Sequence, residues 1–226
     1  MVEIVPGTQS SFSAVLNFEG ESTVLAVHRR HEYHLPNPLR ARWLFVTELG
    51  PNYRELFQEI ADDAREDGVQ IALNPGAIQL EENDRTLHEL LEQTSLLVVN
   101  KDEAQELCGC DLVDPRPLLR TLQEMGPKII VITDGEHGAW ATENSVIYFA
   151  PAFPGKRVEA TGAGDAFSTG VIAALILEKP LDVALAWGSV NAASVVQYVG
   201  PHAGLLARES LEKRLCDMPD YRVKEI

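Results

Sequence analysis

Residues 159–175 read EATGAGDAFSTGVIAAL, and the chemistry of the chain is concentrated in the first half of that stretch. Gly162 and Gly164 flank Ala163, Asp165 follows at once, and an apolar helix-forming run comes next. Glycine is costly at a helix start unless the backbone must approach something closely. The first amides of such a helix, those of Gly162 through Asp165, point outward with little side chain in the way. That is a nest for an anion, and a place where developing negative charge is stabilised. Asp165 lies in the same turn, where the helix dipole favours an acid. It could accept a proton from a nucleophilic hydroxyl beside the bound anion, the arrangement that phosphoryl transfer to an alcohol requires. A capping turn with a dipole-stabilised aspartate accounts for the same residues, and the segment by itself leaves both readings open.

Other signatures fail. The turn supplies the G-x-G of a dinucleotide fingerprint, but Phe167 occupies the third glycine position and no βαβ partner follows. This disfavours a dinucleotide-dependent oxidoreductase. No G-x-x-x-x-G-K-[ST] exists; PGKR at 154–157 has neither the spacing nor the hydroxyl. HEYH at 31–34 is one residue short of a zinc-protease motif. Cys108 and Cys110 have no second pair to complete a zinc site, so with Cys216 they read as reduced thiols in a cytoplasmic protein.

The elements that must hold the turn follow a regular alternation. Two β-rich runs, Phe12 to Phe18 and Ser22 to Arg29, are separated by EGE with Gly20 as the turn residue, a hairpin pattern, and Pro36 and Pro38 break the chain after it. From Trp43 strands alternate with helices. WLFVTEL is a short apolar run, and the helix after it carries Tyr53, Leu56, Phe57, Ile60, Ala61 and Ala64 on one face and stops at Gly68. VQIALN and SLLVVN read as buried strands flanking the helical DRTLHELLEQ. DPRPLLRTLQEMG is a helix capped by Asp114, with Pro115 first and Gly126 at its end. KIIVIT is a strand, AWAT and SVIYFA form a further β pair, and two helices close the pattern, one after Gly164 and one through LDVALAWGSVNAASVVQYVG.

Near-continuous apolar strands between helices predict an α/β fold, a mostly parallel central sheet covered on both faces. Ligands in such sheets sit at the carboxyl ends of strands. Asn74, Asn100 and Thr133-Asp134-Gly135 fall there, and together they form a candidate ligand rim. The net charge of −15 argues against a nucleic-acid partner, and no stretch has the apolar length to span a bilayer.

At this point the sequence resembles a family. TGAGDAF is similar to the C-terminal signature of the ribokinase-like (PfkB) carbohydrate kinases. Three further matches fall in the family's order: LNPG at Leu73 to Gly76, N-x-x-E as NKDE at Asn100 to Glu103, and T-x-G-x-x-G as TDGEHG at Thr133 to Gly138. The closing NAASVVQYVG matches the family's final nucleotide-side helix.

The resemblance implies a three-layer αβα sandwich with a small β-lid: residues 1–38 as a partial lid hairpin, residues 39–226 as the nucleotide-binding and catalytic core. It makes Asp165 the catalytic base and the amides of Gly162, Ala163 and Gly164 the anion hole. Glu103, with Asn100, would organise Mg²⁺ and the phosphates of ATP through waters. Thr133, Asp134, Gly135, Glu136, His137 and Gly138 would line the nucleotide, with Asn191 near its adenine or ribose. The lid would cover the sugar and mediate a homodimer.

Three departures accompany the likeness. The family's opening strand with its sugar-binding aspartate and following glycine pair is missing, so the chain reads as an N-terminally shortened form. At the family's monovalent-cation site, marked here by Glu159 and Thr161, Glu159 replaces the usual aspartate and Ala160 a threonine. Gly204 replaces a serine of the same site, which disfavours potassium activation. The expected function is ATP-dependent phosphorylation of a sugar or nucleoside hydroxyl. The alternative is a shortened, catalytically weak module that binds nucleotide or associates through its lid. Arg29, His31 and Glu48 are candidates for touching substrate, each equally readable as a solvated polar residue.

Overall fold

Successive strand residues point to opposite sheet faces, and here both faces are apolar, which divides the interior into two cores. The computed structural model describes residues 7–18, 21–36 and 40–226. Strands β3 (Trp43–Val46), β4 (Gln70–Leu73), β5 (Thr94–Asn100) and β6 (Ile129–Thr133) are parallel neighbours. Antiparallel β7 (Ala139–Glu143), β8 (Val146–Ala150) and β9 (Lys224–Glu225) extend the sheet in chain order.

Ile71, Leu73, Leu97, Val99, Ile130 and Ile132 face one core. It is closed by α1 (Tyr53–Asp67), α2 (Ala77–Glu82), α3 (Arg85–Gln93), α4 (Lys101–Cys108) and α5 (Pro115–Glu124). Ala72, Leu96, Val98, Ile129 and Val131 face the other, under α6 (Ala163–Ile176), α7 (Leu181–Val195) and α8 (Arg208–Cys216). The result is the expected three-layer αβα sandwich. A parallel run of four strands carries the antiparallel extension at one side.

Helix ends obey local chemistry. Gly68 ends α1 in the left-handed region at φ 70°, where only glycine is unstrained. Asp114 caps α5 by accepting the Arg116 N–H, and Pro115 stands at its first position. Three helices exceed the sequence expectation. α2 is only six residues long, α4 starts inside the N-x-x-E motif, and α8 begins after Ala207 without a side-chain cap.

The small sheet forms as expected from β1 (Phe12–Phe18) and β2 (Glu21–Val27), the second strand lying one residue earlier at its start and two at its end than the sequence predicts. Gly20 and Pro38, expected to turn and break the chain, lie outside the described residues.

The pair α6 and α7 sets the position of the glycine–aspartate turn. A Cβ on Gly170 would stand 2.9 Å from both Gly188 Cα and Trp187 O, and one on Gly188 would stand 2.9 Å from Phe167 O. The two helices therefore touch backbone to backbone, and a methyl on either glycine would push them apart, at a cost of about 1–3 kcal/mol. Among the described residues no helix is long and apolar enough to cross a membrane.

Candidate active site

The site is assembled from the loops that leave the carboxyl ends of β5 and β6 and from the start of α6. Gly162 precedes α6 with φ 80°, and a Cβ there would meet Pro201 Cα at 2.7 Å. Only glycine satisfies both the left-handed backbone and this close approach. The turn is fixed to the loop after α7 by several bonds. Val158 and Glu159 N–H both donate to Val196 O, at 2.7 and 3.2 Å. The Glu159 carboxylate accepts from Thr161 Oγ1 at 2.6 Å and from Gly200 N–H at 2.9 Å.

Not every amide of the turn is free. Ala163 N–H donates to Ala160 O at 3.0 Å, so it is withdrawn from the anion hole that the resemblance assigns to Gly162, Ala163 and Gly164. The N–H groups of Gly164 and Asp165 are first-turn donors with no acceptor one turn back, and no side chain caps this helix. They point outward at the positive end of α6. The Asp165 side chain is exposed and enters no hydrogen bond or ion pair among the described residues. Its carbonyl accepts from Thr169 Oγ1 at 2.7 Å, which ties the first turn together.

Beside this turn opens a cavity of about 410 Å³. Thr133, Gly135, Glu136 and Gly138 form one side, Ala163, Gly164 and Phe167 the floor, and Ser189, Ala192, Ala193 and Val196 of α7 and its end another. The remaining wall is the loop after β8, including Phe153, Pro154 and Arg157. Asp134 and His137 do not line it. Asp134 instead accepts an ion pair from Lys101 at 3.5 Å, and His137 N–H closes the tight turn onto Asp134 O.

Asn191 departs from expectation as well. Its side chain is 4% exposed, donates to Ala166 O at 2.8 Å and accepts from Leu206 N–H at 3.1 Å. It braces α6 against the α7–α8 loop and does not face the cavity. Asn74 is likewise a brace, donating to Val98 O at 2.9 Å.

Asn100 and Glu103 form a reciprocal cap at the start of α4. The Asn100 side chain accepts from Glu103 N–H at 2.9 Å and the Glu103 carboxylate from Asn100 N–H at 2.8 Å. Burial raises the Glu103 carboxyl above the ordinary range against the pull of the Asn100 amide, and Glu106, Asp102 and Glu48 push it further up. A half-buried carboxylate in a negative field suits a divalent cation. Among the described residues no three His, Cys, Asp or Glu side chains cluster to hold a metal. The Glu103 and Asn100 oxygens are hard donors of the kind that Mg²⁺ takes.

Glu48 stands 3.6 Å from His28 at the end of the small sheet, which brings that sheet to the carboxyl end of β3. All three cysteines are free. Burial pushes the Cys108 thiol up to about 11, far from thiolate chemistry.

Fold and site define an α/β protein that offers free helix-start amides and an unpaired carboxylate beside a cavity at its strand ends. Comparison with known proteins narrows this class. Residues 38–208 match the pfkB family carbohydrate kinase profile. The chain is 28% identical to the ribokinase of Haemophilus influenzae over 156 residues, 67% of this chain and 49% of that protein. It is 23% identical to the ribokinase of Bacillus subtilis over 222 residues, 95% of this chain and 71% of that one. The nucleoside kinase of Burkholderia thailandensis in complex with inosine shares the fold with a TM-score of 0.77 at 18% identity, covering 96% of this chain and 72% of that chain. The chain thus spans about half the length of the Haemophilus ribokinase. It belongs to the pfkB family of carbohydrate kinases.

Proposed function

We propose that the protein transfers a phosphoryl group from ATP to a hydroxyl of a sugar or nucleoside. One observation carries this: the free Gly164 and Asp165 amides and the unpaired Asp165 carboxylate stand together at the edge of a cavity large enough for part of a nucleotide. Family membership and relatives named ribokinase support the acceptor class.

In this reading Asp165 takes the proton of the acceptor hydroxyl, and the Gly164 and Asp165 amides bind the oxygens of the group in transit. Thr133, Gly135, Glu136 and Gly138 form one side of the nucleotide site. Glu103, held by Asn100, orders the waters of Mg²⁺. That ion, when bound, neutralises charge on the phosphates. Glu159 accepts from Thr161 Oγ1 at one carboxylate oxygen and from Gly200 N–H at the other, so both oxygens have protein donors, which supports activity independent of potassium.

We further assign residues 1–38 as lid and 39–226 as core, acting in the cytoplasm as a homodimer. On β1 and β2, Phe12, Leu16 and Leu25 share one face by the strand register, and each is more than half exposed. A two-stranded ribbon with an uncovered apolar face is marginal alone and favours a second copy. Light scattering should give a dimer, and Leu16→Glu with Leu25→Glu should give a monomer. A monomeric parent would refute the lid interface.

The functional test is ADP release in a coupled assay across sugars and nucleosides. Acceptor-dependent turnover supports the kinase. Nucleotide binding without turnover on any acceptor would favour the binding module.

A further inference from the structure

The C-terminal segment after α8 reaches the wall of the cavity from behind. Tyr221 N–H closes a turn onto Met218 O at 3.0 Å, and β9 then pairs with β8, Lys224 opposite Phe149 and Glu225 opposite Tyr148. Ile226 N–H continues the ladder to Ile147 O at 2.9 Å. Between turn and strand, Tyr221 makes two contacts to the residues that follow β8. Its hydroxyl donates to Pro151 O at 2.8 Å, and its ring lies against that of Phe153, centroids 5.0 Å apart and planes at 59°.

Phe153 is itself a cavity wall. The Gly138 turn also approaches this loop closely: a Cβ on Gly138 would stand 3.1 Å from Ala152 N and closer still to Ala150 O. Thus the exit of β8 is held by contacts to the Gly138 turn, which also lines the cavity, and to Tyr221. Beyond these contacts the chain carries Pro154, Gly155 and Arg157 along the cavity before reaching the glycine–aspartate turn. Burial holds the phenol above its ordinary value, so it remains a neutral O–H donor at working pH.

We infer that Tyr221 is a positioning residue for the nucleotide: through Pro151 and Phe153 it fixes the loop that forms one wall of the base-binding cavity. The inference rests on the reading of that cavity as the nucleotide site. Tyr221 gives that loop one hydrogen bond and one ring contact, and the two can be removed separately. Removing the hydroxyl frees Pro151 O but leaves the ring contact. Removing the ring frees Phe153 as well, and the nucleotide must then order the wall on binding.

The test is calorimetric titration of ADP into the parent protein, Tyr221→Phe and Tyr221→Ala, with thermal unfolding of each. Tyr221→Phe should weaken ADP about fivefold, the cost of ordering about one side chain of the wall on binding. Tyr221→Ala should weaken it further, while turnover at saturating ATP and the acceptor KM stay at the parent values. That split of nucleotide KM against kcat separates positioning of the wall from general loosening. If Tyr221→Ala does not fold, Tyr221→Phe carries the test alone. Parent-like ADP affinity in a folded Tyr221→Phe, or a loss confined to kcat, overturns the inference and leaves the nucleotide site standing. A parent protein that binds no adenine nucleotide overturns the cavity assignment itself, and the role of Tyr221 with it.

Discussion

Gly164 is the second residue of α6, it is exposed, and a Cβ placed on it would meet no heavy atom within 4 Å. Considered only as part of a helix, the position gains from alanine, because glycine loses more backbone freedom on folding, an effect of about 0.5–1 kcal/mol. For a chain of this size that amounts to about 1–4 °C in Tm. Considered as part of an anion hole, the same methyl group is harmful. It would sit beside an amide with no partner in the helix, in the space through which a phosphoryl oxygen must approach. Loss of one such donor typically lowers kcat by about 10²–10³. The account therefore expects Gly164→Ala to be slightly more stable and far less active. Thermal unfolding and coupled ADP release on one preparation measure both. A rise in Tm with parent-like turnover would refute the contact between this amide and the transferred group. A fall in Tm would refute the open space on which the argument depends.

Glu103→Gln keeps an acceptor for the Asn100 N–H and removes a half-buried charge. The folded carboxyl holds its proton more tightly than the unfolded one, so the parent loses stability as pH rises from the ordinary glutamate range through the raised folded value. In urea titrations at several pH values the variant should lose less stability over that window, while turnover drops about 10–100-fold and recovers in part at high magnesium. Equal activity at ordinary magnesium would contradict the assignment. Gly162→Ala must hold φ near 80° and displace Pro201, the first alone costing about 1–2 kcal/mol. Its Tm should fall along with its turnover, unlike Gly164→Ala. Turnover should be the same in potassium, sodium and lithium buffers, and a several-fold stimulation by potassium would show that Glu159 and Thr161 still serve a cation.

The layered fold was legible wherever local chemistry decided an element. Gly68 stops α1 because only glycine is unstrained there, and Asp114 with Pro115 starts α5 through a cap and a fixed φ. The same rules apply at α4. Asn100 and Glu103 are a capping box as well as a ligand motif, and the motif reading hid the helix. α8 escaped because it has no side-chain cap and buries only Leu211.

The site was legible as a set of loop residues at strand ends, and less so face by face. α7 is buried nearly all round, between α6 and the sheet, so its composition does not reveal which side meets the cavity. Asn191 was therefore expected at the nucleotide, whereas the tertiary packing turns it toward Ala166 and Leu206. The wall formed by Phe153, Pro154 and Arg157 gives no periodic signal, because an irregular loop is placed by contacts distant in sequence. Ala163 shows the finer limit: its amide belongs to the glycine turn by sequence, and one backbone bond to Ala160 withdraws it.

The central claim is that Asp165 acts as the base of a phosphoryl transfer, and Asp165→Asn tests it most directly. Asparagine has the same size and suits the first turn of a helix, so fold and nucleotide affinity should be preserved. Acceptor-dependent ADP release and ADP binding are measured on the same preparation of the variant and of the parent. The account predicts parent-like binding and Tm with turnover lower by about 10²–10⁴, the usual contribution of a positioned base. Turnover near that of the parent would reduce Asp165 to a helix-start acid and contradict the account.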